Sequence, residues 1–335
     1  MKTHQFERFG AGLAGLALVE RPEPKPGRSE VLIRVHARSL NFRDVRILAG
    51  LYPVPGRLGV TALSDGAGEV VAIGEDVTRV AVGERVAASY FPQWRDGRFA
   101  MQLALDQYGC TRDGMLAPLA VADENAVVRI PSHLSYEEAA TLPCAGVTAW
   151  AALGGPRPVV PEDTVLTIGT GGVALFALQF ARMFGARVIA LTSTEAKAER
   201  LRKLGADDVV NYRAVPEWQQ RVRELTNGGG VEHVIDTGGL DTLPRSIAAT
   251  REEGVVTVVA ALGSGQLDPL VFANPVMVRR VYVGSRAHFE AMNRAISAHQ
   301  LRPVIDRVFG FDQTKQAFEH FEARRHVGKV VIAGD

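Results

Sequence analysis

The chain has 335 residues, 47% of them hydrophobic and 22% charged, with 38 basic against 37 acidic side chains and a net charge of +1. This composition suits two globular domains with sizeable cores and leaves no basic stripe of the kind that nucleic-acid binding needs. Two cysteines cannot build a disulfide framework, the N-terminal MKTHQFERFGAG lacks an apolar h-region, and no apolar run reaches membrane-span length, so the expected setting is a reducing cytoplasm.

From residue 1 to about 130 the pattern is β-rich. Short β-branched stretches at 31–35, 68–73, 80–88 and 127–130 are separated by Gly, Pro and Asp turns, which predicts a small barrel or sandwich. A helix is predicted near 42–48, followed by a loop over 49–56. Beyond Pro131 the character changes. Ser135 and Glu138 have capping-box spacing and open an apolar helix over 137–142. Strands predicted at 164–168, 187–191, 208–210, 233–236, 255–260 and 281–284 then alternate with helices at 175–184, 195–204, 218–225 and 244–250. That alternation predicts an α/β fold with a doubly wound parallel sheet. Amphipathic helices follow at 289–298 and 312–322, and the apolar strand 329–333 returns to the first domain. The domains are therefore 1–130, completed by 287–335, and 131–286.

Between residues 165 and 191 the chain reads VLTIGTGGVALFALQFARMFGARVIAL. Gly169, Gly171 and Ala174 fill the small positions of G-x-G-x-x-G/A, with Thr170, Gly172 and Val173 between them. The first small residue allows a tight turn, and the second lets backbone approach a pyrophosphate. The third lets the helix pack closely on the sheet, its N-terminal N–H groups facing the anion. An acidic residue about 20 positions on would bind a ribose 2′-hydroxyl and select NAD. Here the second strand ends in Thr192-Ser193-Thr194 without a carboxylate, and Lys197 and Arg200 follow. Hydroxyls and cations suit a 2′-phosphate and favour NADP(H) over NAD(H), while the same cations, offset by Glu195, also read as a solvated helix face. Tyr212 lies just past the third strand, where it can stack on or hydrogen-bond the adenosine end.

Five segments, the glycine turn among them, carry a resemblance: LNFRDVRILAGLYP at 40–53, SDGAGEVVAIGEDVTRVAVGERV at 64–86, LPCAGVTAWAAL at 142–153, GTGGVALFALQFA at 169–181 and GKVVI at 328–332. Through them the chain resembles the medium-chain dehydrogenase/reductase superfamily, and within it the zinc-independent, quinone-oxidoreductase-like branch, over nearly its whole length. The resemblance implies a GroES-like catalytic domain and a Rossmann domain. It implies that Thr148 and Val173 pack behind the nicotinamide and that Ala260, Leu262, Gly284 and Ser285 offer partners to the carboxamide. It also implies a homodimer formed through an edge strand of the Rossmann sheet at 279–284.

Zinc alcohol dehydrogenases place a Cys where this chain has Asn41 and a His where it has Ser64; their third ligand position corresponds to Cys144. One ligand of three cannot hold a catalytic zinc, and the four-cysteine structural lobe is absent, since 91–120 holds only Cys110. No metal is expected, and Cys144 reads as a small buried core residue.

Without a Lewis acid, the alkoxide charge of ketone reduction falls on hydrogen-bond donors alone. Hydride addition to a quinone or α,β-unsaturated carbonyl is less demanding, because the charge is delocalised. The expected activity is NAD(P)H-dependent reduction of such small molecules. A metal-free alcohol dehydrogenase or aldehyde reductase, and an NADPH-binding redox sensor with little turnover, stand as alternatives. The candidate donors are Asn41 through its amide and Tyr52 through its phenol. Asn41 alternatively only caps the following helix, and Tyr52 only lines its loop. Asp44 and Asp65 match positions usually acidic in the family and read as structural acceptors; Arg43, which would lie near the cleft where it could bind an oxygen, reads first as a surface salt-bridge partner.

Overall fold

The computed structural model describes residues 1–260, 263, 267, 271 and 273–334. The chain divides into two compact units, Met1–Val147 with Gly284–Asp335, and Thr148–Val283.

The first unit begins with strands β1 (Lys2–Phe6), β2 (Leu16–Glu20) and β3 (Glu30–Ser39), then helix α1 (Phe42–Leu48). Strands β4 (Asp65–Ile73), β5 (Arg85–Ala88), β6 (Leu119–Asp123) and β7 (Val127–Arg129) follow, and then the short helix α2 (Tyr136–Ala139). Strand β3 is its spine. Val31, Ile33 and Val35 alternate into a core shared with Val70, Val86 and Val127, while β3 pairs antiparallel with both β4 and β6.

The second unit opens in helix α3 (Val147–Leu153) and carries β8 (Thr164–Ile168), α4 (Gly172–Met183), β9 (Arg187–Thr192), α5 (Glu195–Lys203) and β10 (Asp208–Asn211). It continues with α6 (Trp218–Leu225), β11 (Val231–Asp236), α7 (Leu243–Ala249), β12 (Thr250–Val258) and β13 (Met277–Arg280). The sheet order is β10-β9-β8-β11-β12-β13, parallel throughout. This is the doubly wound arrangement. Every residue of β8 is buried, as a strand covered by helices on both faces requires.

The chain then returns to the first unit through α8 (Arg286–His299), β14 (Ile305–Gly310), α9 (Thr314–Glu322) and β15 (Lys329–Ala333). Strand β15 pairs antiparallel with β3, setting Val331 opposite Ser39. The fully buried Arg38 locks this closure: its guanidinium donates to the carbonyls of Met115, Ala117 and Gly334 and lies over the Phe311 ring. No helix among the described residues is long and apolar enough to cross a membrane.

Several expectations are corrected. Residues 131–147 pack with the first unit rather than opening the second. Tyr136 stacks on His36 with ring centroids 4.4 Å apart, Arg85 lies over the same ring, and Arg302 pairs with Glu138 at 2.7 Å. The second boundary correspondingly falls at 283/284 instead of 286/287. The capping box of Ser135 and Glu138 is present, but α2 stops at Ala139, and a π-helical turn at Leu142–Gly146, with Pro143 near its start, leads into α3. The last strand of the parallel sheet is Met277–Arg280, not 281–284: β12 is already paired with those four residues, and Val283 has φ +45°, which no strand accommodates. In 80–88 only 85–88 is strand. Strand β1 has no alternating apolar signal, because KTHQF is polar at most positions, whereas β2 (LALVE) and β6 (LAVAD) are short runs rich in Ala and Leu, without the β-branched signature of a strand.

Candidate functional site

The candidate residues fall in two places, one in each unit. In the second, β8 ends at Ile168 and Gly169 turns the chain with φ +87°, a conformation that strains any residue bearing a Cβ. Gly171 differs. Its φ of −78° suits any residue, yet a Cβ built there meets nothing within 4 Å. What its hydrogen preserves is open space above the backbone, at the N-terminus of the 12-residue α4, where no side chain caps the first N–H groups. Ala174 is buried on the sheet side. Thr170 is buried, and Gly172 and Val173 are half-buried.

Beyond β9, Thr192 is buried with its hydroxyl unpartnered. Thr194 caps α5, accepting from the Lys197 N–H at 3.3 Å. Ser193 and Lys197 are half-buried, Arg200 is exposed, and Tyr212 is 37% exposed. Thr148 is buried in α3, and Ala260 is half-buried just past β12. Leu262 lies outside the described residues. Gly284 and Ser285 are buried and belong to the first unit. Ser285 caps α8: its N–H is already given to Nδ1 of His288 at 3.1 Å, and its carbonyl accepts from Phe289.

In the first unit, Asn41 sits at the N-cap of α1 and is only 7% exposed. Its N–H donates to Oδ2 of Asp44 at 2.8 Å, so the cap is made partly by Asp44. Its side-chain Oδ1 accepts from Nζ of Lys329 at 2.5 Å, and the same ammonium donates to the Leu40 carbonyl at 2.7 Å. The Asn41 Nδ2 is buried and has no partner. Next to this pair, the Ser64 hydroxyl donates to Oδ1 of Asp65 at 2.7 Å, and the Cys144 N–H donates to Oδ2 at 3.1 Å. Leu63, just before Ser64, is held at φ +65°; such backbone costs about 1–3 kcal/mol.

Burial dominates the electrostatics here. It pulls the Lys329 ammonium below its ordinary pKa, with Asp65, Cys144 and Asp44 opposing. It pushes the Asp44 carboxyl up to about 6 against the pull of Arg43, and raises the Cys144 thiol well above its usual value.

Tyr52 belongs to a connected cluster. Its hydroxyl lies 2.9 Å from that of Tyr90 and 3.0 Å from Oε1 of Gln107, which Tyr90 also meets at 3.0 Å. Arg43 donates to the same Oε1, to the Tyr108 carbonyl and to Asp44 at 3.2 Å, with its guanidinium 5.4 and 5.0 Å from the Tyr52 and Tyr90 rings. Arg43 is thus buried, not the surface partner expected. One hydrogen-bonded path runs from Lys329 through Asn41, Asp44, Arg43 and Gln107 to the two phenols.

Residues 27–132 match the alcohol dehydrogenase GroES-like domain, and residues 172–298 match the zinc-binding dehydrogenase family. A zinc-type alcohol dehydrogenase-like protein of Schizosaccharomyces pombe is 42% identical over 318 residues, covering 91% of each chain. The chain belongs to the medium-chain dehydrogenase/reductase superfamily. It lies in the zinc-type alcohol dehydrogenase-like and quinone-oxidoreductase-like branch and is an oxidoreductase. A quinone oxidoreductase of Pseudomonas aeruginosa is 30% identical over 345 residues and 99% of each chain. The crystal structure of an NAD-dependent alcohol dehydrogenase superposes with TM-score 0.90 at 32% identity over the full length of both chains.

Within this oxidoreductase the structure joins Ser64 to Cys144 through Asp65, and links Asn41 to Tyr52 through Asp44, Arg43 and Gln107. Sequence reasoning gave no role to Lys329, Tyr90 or Gln107. For Lys329 a signal existed: a lysine opens an otherwise apolar closing strand, KVVIA, that is buried from end to end except at Ala333.

Proposed function

We propose that this oxidoreductase reduces quinones or α,β-unsaturated carbonyls with NADPH and without zinc. The observation that carries the proposal is the buried, unpartnered Nδ2 of Asn41, a spare donor for a substrate oxygen. When bound, the nicotinamide supplies the hydride. The open glycine turn and uncapped start of α4 receive the pyrophosphate. Ser193 and Lys197, both half-buried, with the Arg200 guanidinium nearby in sequence, favour a 2′-phosphate over a free hydroxyl, and Tyr212 is exposed enough to meet the adenosine end.

The donor set does not suit a zinc ion. An amide and a hydroxyl stand at two of the three ligand positions; the amide oxygen already accepts from an ammonium, the hydroxyl donates to Asp65, and the remaining thiol is kept protonated by burial. Asn41 donates to the substrate oxygen as negative charge builds on it. A delocalised enolate or hydroquinone anion needs no more than this, whereas a full alkoxide does. Tyr52, half-buried and bonded to Tyr90 and Gln107, is the more exposed of the two phenols and the one that would return a proton, while Tyr90 keeps its bond to Gln107.

Two copies of this cytoplasmic enzyme would pair along β13, the edge of the parallel sheet, where Met277 and Val278 are exposed. The test is NADPH and NADH oxidation with a panel of quinones, enones, aldehydes and simple ketones. Quinone or enone turnover with a lower KM for NADPH supports the proposal. Turnover confined to alcohols and aldehydes, or tight NADPH binding with nothing reduced, overturns it.

A further inference from the structure

We propose that Lys329 is a positioning residue that fixes the Asn41 amide with its oxygen turned inward, leaving Nδ2 as the one donor that a substrate oxygen meets. The inference rests on the proposed role of Asn41 and adds what sets that residue's polarity. An ammonium carries three donors and no acceptor. At 2.5 Å it faces the amide oxygen of Asn41; the flipped amide would set N–H against N–H. An asparagine in solution offers a substrate either edge. Here chemistry removes the choice, and the edge left over is donor-only.

The lysine cannot drift from this duty. Lys329 is 2% exposed, and the Leu40 carbonyl holds the same Nζ at 2.7 Å. The two segments are pinned to one another by backbone on both sides of the contact, with Leu40 N–H donating to Val330 at 3.0 Å and the Ser39 hydroxyl donating to the same carbonyl at 3.3 Å. Asn41 is fixed from its other end by the N–H bond to Asp44. The carbonyl, the amide oxygen and the carboxylate are all spent within the protein. What remains unspent on Asn41 itself is one buried N–H₂ group. The arrangement therefore selects substrates presenting an acceptor oxygen, such as a quinone or enone carbonyl, over groups that must donate.

A merely structural lysine would only balance the charges of Asp44 and Asp65, and its loss would add to that of Asn41. A double-mutant cycle separates the two roles. kcat, KM and NADPH Kd are measured for the unmodified enzyme, Lys329→Met, Asn41→Ala and the double variant, with whichever acceptor of the panel is turned over. Each single substitution is expected to lower kcat by about 10²-fold with NADPH Kd unchanged, and the double variant to be no slower than Asn41→Ala. Losses that multiply would overturn the proposal, as would a Lys329→Met enzyme of normal kcat. Neutron diffraction on the unmodified protein reads the amide directly and needs neither turnover nor a folded Lys329→Met variant. Deuterium on the Asn41 atom turned away from Lys329 supports the proposal; deuterium on the atom facing Lys329 overturns it. If the panel finds no substrate, the functional proposal falls while the amide orientation is still decided.

Discussion

The glycine turn at 169–174 and the polar pocket under Asn41 solve opposite problems. The turn makes a site by leaving atoms out: Gly169 permits a left-handed φ, and Gly171 keeps open the space that a Cβ would fill. The pocket makes a site by crowding groups together. A lysine, an asparagine, two aspartates and an arginine are buried here and bonded to one another or to backbone, and the Asn41 N–H₂ is left over together with Nε of Arg43. A backbone site depends on a few consecutive residues, whereas a side-chain site depends on segments 288 residues apart.

The largest effect that sharpens this contrast comes from Gly171→Val. Because φ at that position is ordinary, the fold should persist, with stability within about 0.5 kcal/mol, while isothermal titration should show NADPH affinity falling by about 10²-fold or more. A variant that binds NADPH normally would mean the open space is not where the pyrophosphate lies. Next comes Asn41→Asp, which keeps the bond to Lys329 but exchanges the spare donor for an acceptor. Steady-state kinetics should show kcat lower by about 10²-fold or more and NADPH Kd unchanged; full activity would remove Asn41 from the reaction.

The smallest effect concerns stability in the first unit, away from the pocket. His4, buried against Phe311, has its pKa lowered to about 4, chiefly by loss of hydration. Between about pH 6.5 and 4 the unfolded chain takes up a proton there that the folded chain refuses, so stability falls as pH falls through that window. In urea unfolding, the acid loss should be smaller in His4→Leu than in the unmodified protein; parallel pH profiles would show that this histidine does not contribute.

The same contrast explains what was legible in the sequence. The turn, helices α1 and α6, β8 and the closing strand β15 could be read residue by residue, because each follows from a local period or a local backbone demand. The division at 147/148 could not, since Pro131 marks a change of character while Tyr136, Glu138 and Cys144 are claimed by partners far away in the chain. Asn41 was legible as the residue standing where a metal ligand would be, but its polarity was not, because that is dictated by a lysine at the other end of the chain. Arg43 looked like a surface charge for the same reason: nothing beside it in sequence announces Tyr90 or Gln107.

The most direct measurement is NADPH oxidation with a quinone acceptor by protein dialysed against a strong chelator, with zinc content determined on the same sample. Full activity at substoichiometric zinc is the predicted result. Activity that vanishes with the metal and returns on adding zinc would contradict hydride transfer supported by Asn41 and Lys329 alone.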